Sequence, residues 1–123
     1  MPLRDPAVYL EDIEHHAEAA MRFMDGCSLE QYLADDKTRA AVERVLEICG
    51  EALKQLLQVD AKLGQQIPHS RDIIGFRNIL AHGYAGIDHA LVYGVVRDHV
   101  PALLVAARQL LAAFPTPEEE PPA

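Results

Sequence analysis

The sequence predicts an all-α protein, an antiparallel bundle of four to five helices, and three observations carry that prediction. Apolar residues recur at helical spacing in several separate stretches. Cap and breaker residues fall between those stretches rather than inside them. No segment alternates apolar with polar residues between hairpin turns. The composition agrees: 50% hydrophobic, 24% charged, only 6% aromatic and without tryptophan, a balance that suits helices better than a β-sandwich. At 123 residues the chain is one domain, able to bury roughly two-thirds of the surface its unfolded form exposes.

The elements follow in order. Asp5-Pro6 opens a first helix, a capping side chain followed by the ring that fits the first helical position. Val8, Ile13, Ala17, Ala20, Met21 and Met24 keep helical spacing until Gly26 ends the run. Ser28 with Gln31 has capping-box form and predicts a short helical turn to Leu33 or Ala34. From Asp35 or Asp36 a long helix carries Val42, Val45, Leu46, Cys49, Leu53 and Leu56 on one stripe, with Arg39, Glu43, Glu47, Glu51 and Lys54 mostly outside. The chain breaks across residues 62–68 and resumes as a helix from about Ser70 to His82. Asp88 caps a further helix through Leu91, Val92, Val95 and Val96. Pro101 disfavours helical geometry at Val100 and opens the last helix, which stops before Pro115. Residues 1–114 are therefore the bundle, and the acidic Pro/Glu tail at 115–123 has too little apolar surface to order itself.

The net charge is −8, and three of the acids are Glu118, Glu119 and Glu120, so residues 1–114 carry 11 basic against 16 acidic groups, or −5. Nonspecific binding to a nucleic-acid backbone is disfavoured by that balance, whereas a local site with a few cations is compatible with it. Cys27 and Cys49 stand in unlike contexts without a CxxC pattern, which points to free thiols in a reducing cytoplasm. Among six histidines, His15 and His16 are adjacent, and His69, His82, His89 and His99 form no i, i+4 pair. Zinc-type spacing is absent, so neither metal nor cofactor is expected. No stretch approaches the ~20 apolar residues of a membrane span, and no signal sequence opens the chain.

The chemistry concentrates between Ser70 and Asp88, where Arg77, Asn78, His82 and Tyr84 stand within eight positions of an otherwise apolar segment. Taken singly each has an ordinary explanation: Arg77 pairing with an acid such as Asp72, His82 closing a helix, Tyr84 packing at a rim. Together they gather at one end of a helix whose core needs are met by Ile73, Ile74, Ile79, Leu80 and Ala81. On a straight helix Arg77 and Tyr84 fall about 20° apart and His82 about 140° from Arg77. Arg77 and His82 therefore meet only if the arginine stem reaches across or the helix ends near His82, where Gly83 is the expected stop. A histidine in a last helical turn faces the negative end of the dipole, which suits a proton donor. Arginine offers a planar fork to phosphate oxygens. Those two groups suffice for metal-free RNA cleavage, in which the ribose 2′-hydroxyl attacks its own phosphate.

Arg77-Asn78-Ile79-Leu80-Ala81-His82-Gly83-Tyr84 resembles the Arg-x4-His-x-Tyr signature of the HepT toxins, a branch of the HEPN ribonuclease superfamily, including its polar residue directly after the arginine. The flanks at 72–76, 86–88, 97–104 and 45–54 are similar to the family too, so the likeness covers nearly the whole chain except the tail. The resemblance implies a helical bundle that dimerises with two motifs near the shared interface and acts as a metal-independent endoribonuclease. It implies that Arg77 binds and stabilises phosphate, that His82 carries acid–base chemistry, and that Asn78 orients one of them. It further implies a type II toxin-antitoxin system whose antitoxin is an MntA-type minimal nucleotidyltransferase, able to transfer AMP to Tyr84. A second reading is a non-catalytic helical adaptor that binds a nucleotidyltransferase, since one histidine per chain is thin for acid–base work and Arg, Tyr and Asn suit interfaces. A dimer would supply two histidines, and RNA cleavage without added metal separates the readings.

Overall fold

The computed structural model describes residues 5–83 and 86–114, all helix and connecting turns, with no strand among them. Tyr84, Ala85 and the tail at 115–123 lie outside the described residues. The helices are α1 (Pro6–Phe23), α2 (Leu29–Ala34), α3 (Asp36–Val59), α4 (Ala61–Gly64), α5 (Ser70–His82), α6 (His89–Asp98) and α7 (Val100–Leu111). The all-α expectation holds. The one element not anticipated is α4, a single turn too short for any periodic pattern, capped by Asp60 Oδ1, which accepts from the Leu63 amide at 3.0 Å.

The caps explain why the boundaries fall where they do. Asp5 accepts from the Ala7 amide at 2.9 Å, and Ser28 and Gln31 bond each other's backbone at 3.1 and 2.9 Å. Asp35 takes both the amide and the hydroxyl of Thr38, at 3.1 and 2.7 Å, contacts that hold its carboxyl below the usual range, the hydroxyl bond most of all. Asp88 accepts from the Leu91 amide at 3.1 Å. Each satisfies an amide that the first helical turn leaves without a partner. Helix α5 begins differently, on His69 at φ 58 with no side-chain cap. A left-handed non-glycine residue there marks a sharp turn after Pro68, at a cost of about 1–2 kcal/mol.

Helix α3 is the central element, packing on α1, α5, α4 and α2, while α1 also packs on α7 and α7 on α6. Val42, Leu46, Cys49, Leu53 and Leu56 form its buried stripe, and they share one core with Leu10, Ile13 and Ala17 of α1, which in turn packs on α7. Each fully buried Leu or Ile contributes roughly 1.5–3 kcal/mol over its exposed state. Burial also pushes the Cys49 thiol up to about 12. Met24 is buried and Met21 packs against the core, as expected of both.

Helix α5 is the least enclosed long helix. Its chief partner is α3, and Leu80 is its only buried residue. Ile73, Ile74 and Phe76 are half-buried, and Ile79, expected in the core, is 55% exposed. The reason is rotational: one helix face is enough to cover α3, and Ile79 falls off it. An apolar groove is left between α5 and the α6–α7 pair, walled by Ile73, Phe76, Leu91, Val95 and Leu103. No single described helix is long and apolar enough to cross a membrane; α6 and α7 reach that composition only jointly, across a 45° bend.

Candidate active site

Arg77 lies in the interior of α5, not at its end, and faces α3. Its approach is unusually close because Gly50 of α3 stands opposite: a Cβ there would sit 2.7 Å from Arg77 Cγ and closer still to its Cβ. Glycine in mid-helix costs about 1 kcal/mol against alanine, and here that cost admits the arginine stem. Beyond the stem the guanidinium is held on two sides. Nη2 lies 2.9 Å from Glu51 Oε2, and Nη1 donates to Asn78 Oδ1 at 3.0 Å. The Glu51 carboxylate is itself steadied from the next turn, where Gln55 Nε2 donates to Oε1 at 3.0 Å.

The Arg77 side chain keeps 20% of its surface exposed, although Nε is sealed without a hydrogen-bond partner. The ordinary explanation, a pair with Asp72, is overturned. Asp72 lies 3.8 Å from His69 Nδ1 instead, and the arginine pairs across to α3. Glu51, placed on the outer face by helical periodicity, keeps 41% of its side chain exposed but turns Oε2 to Arg77.

His82 sits in the last turn of α5 and is exposed. Among the described residues it makes no hydrogen bond or ion pair, so Arg77 and Asn78 are brought together while His82 stands free at the helix end. Gly83 is the C-cap as expected, its amide donating to Ile79 O at 2.8 Å. Its φ of −106 is not left-handed; glycine is needed because a Cβ would come within 2.8 Å of that same oxygen. Tyr84, the expected modification residue, lies outside the described residues. After the motif, Asp88 caps α6, and His89 Nδ1 lies 3.6 Å from Glu43 Oε2 on α3.

A family model described as "Ribonuclease HepT-like" matches residues 13–110. The chain belongs to the HepT-like ribonuclease family. "Probable ribonuclease HepT" of Thermococcus cleftensis is 37% identical over 95 residues, which cover 77% of this chain and 86% of that protein. "Putative RNase MJ1380" of Methanocaldococcus jannaschii is 32% identical over 103 residues, 84% of this chain and 94% of that protein. "Putative RNase TTE0752" of Caldanaerobacter subterraneus is 28% identical over 109 residues, 89% of this chain and 96% of that protein. No solved structure matches the chain. Membership bears out the family likeness read from the motif and its flanks, and with it the enzyme class, endoribonuclease.

In this HepT-like ribonuclease a cationic fork of fixed orientation and an exposed imidazole share one helix. The fork suits a tetrahedral anion and the imidazole suits proton transfer. Sequence reasoning missed two contributors on α3. Gly50 carried a signal, a glycine inside a strong apolar stripe, which marks close backbone approach. Glu51 carried none, because a glutamate beside such a stripe is usually solvated.

Proposed function

We propose that this HepT-like ribonuclease is the toxin of a type II toxin-antitoxin pair, cutting RNA without metal through Arg77 and His82. The observation that carries the reading is the restrained, part-exposed side chain of Arg77 on the helix whose last turn presents His82. In the reaction the ribose 2′-oxygen attacks phosphorus and loses its proton to a base, while the bond to the 5′-oxygen breaks and that oxygen gains a proton from an acid. The products are a 2′,3′-cyclic phosphate and a free 5′-hydroxyl. Arg77 stabilises the charge that builds on the phosphoryl oxygens, Asn78 holds Nη1, and His82 moves protons.

One imidazole per chain serves one of the two proton transfers, and a homodimer supplies the second. Support for the dimer comes from Leu91, 56% exposed on the wall of the apolar groove, and from Ile79, 55% exposed on the motif helix; exposed apolar surface marks interfaces. The protein partner is an MntA-type nucleotidyltransferase antitoxin that silences the toxin by attaching AMP to Tyr84. The added phosphate would compete with RNA for the Arg77 cation.

The test is incubation of the purified chain with RNA in chelator. Cleavage to cyclic-phosphate ends, lost in His82→Ala, supports the reading. A chain that cuts no RNA yet binds a nucleotidyltransferase favours the adaptor.

A further inference from the structure

We propose that Glu51, held by Gln55, is a positioning residue that sets the plane of the Arg77 fork for phosphate; the proposal rests on the ribonuclease reading above. The geometry is a chain of contacts across two helices. Gln55 Nε2 donates to Glu51 Oε1 at 3.0 Å, Glu51 Oε2 lies 2.9 Å from Arg77 Nη2, and Arg77 Nη1 donates to Asn78 Oδ1 at 3.0 Å. Glu51 Oε2 is sealed from solvent and makes no aligned hydrogen bond, so its contact with Arg77 is chiefly one of charge. Arginine has five N–H donors. Nε–H is buried without a partner, one Nη1 hydrogen goes to Asn78, and Nη2 faces the carboxylate. Each Nη keeps a second N–H beyond these contacts, and an arginine can set two such groups on two phosphate oxygens at once.

Glu51 thus has two opposed effects. Its negative charge weakens the attraction of Arg77 for a ground-state phosphate. Its grip, with the stem contact at Gly50, removes the rotamer freedom that a long arginine would otherwise lose when the transition state forms. The signature is a split: without Glu51, RNA binds as tightly or more tightly, while turnover falls. A purely structural residue would lower stability and rate together. A general base could not be replaced by glutamine.

The experiment compares wild type, Glu51→Ala and Glu51→Gln in three measurements: single-turnover cleavage at saturating RNA in chelator, Kd for a 2′-O-methyl copy of the same RNA, and the Arg77 Nε–H resonance, assigned by its loss in Arg77→Lys. In Glu51→Ala the rate falls at least tenfold, Kd is unchanged or lower, and the sealed Nε–H broadens by exchange with water. In Glu51→Gln, which keeps the packing and can turn its one amide oxygen to Arg77 but loses the charge, the rate and the sharp Nε–H return in part. The proposal is overturned if Glu51→Ala keeps a rate within twofold of wild type, if it weakens RNA binding, or if Glu51→Gln is as inactive as Glu51→Ala. If wild type cuts no RNA, the ribonuclease reading fails separately, and the Nε–H decides alone: unchanged in Glu51→Ala it overturns the positioning role, broadened it supports it.

Discussion

Arg77 and His82 meet their surroundings in opposite ways, and their substitutions should therefore differ. His82 is exposed and, among the described residues, unpaired, so His82→Ala should abolish cleavage while melting at the wild-type temperature. Arg77 is packed against Gly50 and paired with Glu51. Arg77→Lys keeps the charge but loses the two-pronged geometry, with about 2–4 kcal/mol of transition-state stabilisation lost, by analogy with removal of an oxyanion donor. Unlike His82→Ala it should also melt lower, because it breaks an inter-helix contact. Cleavage rates and melting curves of the two variants check this directly. Tyr84→Phe should keep much of the activity, since a phenol of ordinary pKa near 10 is a poor proton shuttle at neutral pH. It should block AMP attachment by the cognate nucleotidyltransferase, which mass spectrometry reads out.

The two cysteines give a second residue-scale test. Cys49 is buried, with its thiol pushed up to about 12 from an ordinary 9, whereas Cys27 is partly exposed. Below pH 9 both folded and unfolded chains hold the Cys49 proton. Between 9 and 12 only the folded chain retains it, so this contribution to stability is lost as pH rises through that window. Melting temperature should fall between pH 9 and 11, and less steeply in Cys49→Ala. At neutral pH an alkylating reagent should label Cys27 and spare Cys49 until the chain unfolds.

At the scale of elements, the fit of α5 on α3 turns on Gly50. Replacing a mid-helix glycine by alanine ordinarily gains up to about 1 kcal/mol. At Gly50 the new Cβ would meet the Cβ and Cγ of Arg77, the stiff base of the side chain, so the helices must separate. Overpacking costs about 1–3 kcal/mol and wins. Gly50→Ala should melt lower and cut RNA more slowly. Gly75→Ala on α5, where a Cβ meets nothing within 4 Å, should melt slightly higher. Equal melting of the two variants would show that the close approach has no energetic weight.

For the whole molecule the deciding feature is the uncovered apolar side of α5 and α6. A single copy leaves Ile79 and Leu91 more than half exposed, and a second copy covers them if the proposed dimer forms. Light scattering at micromolar concentration should give twice the mass of the 13.6 kDa chain. Ile79→Asp with Leu91→Asp should give monomers that retain their helix content and lose cleavage, because each would be left with one His82. A wild-type monomer, or an active monomeric variant, would remove the argument that two histidines cooperate.

All the described helices but α4 were legible in the sequence because their causes are local. Asp5, Ser28, Asp35 and Asp88 cap the residues that follow them, and the apolar spacing of residues 42–56 depends on nothing outside that segment. The motif was legible too, since Arg77, Asn78, His82 and Tyr84 are near neighbours in the chain. What the tertiary structure alone decided was which face of α5 meets α3. That rotation puts Arg77 rather than Ile79 against the neighbouring helix, pairs it with Glu51 twenty-six positions earlier instead of Asp72 on its own helix, and sets Gly50 against its stem. Periodicity defines the apolar stripe of one helix, but the rotation and register of two helices follow from how both surfaces interlock, and no stretch of one chain segment carries that information.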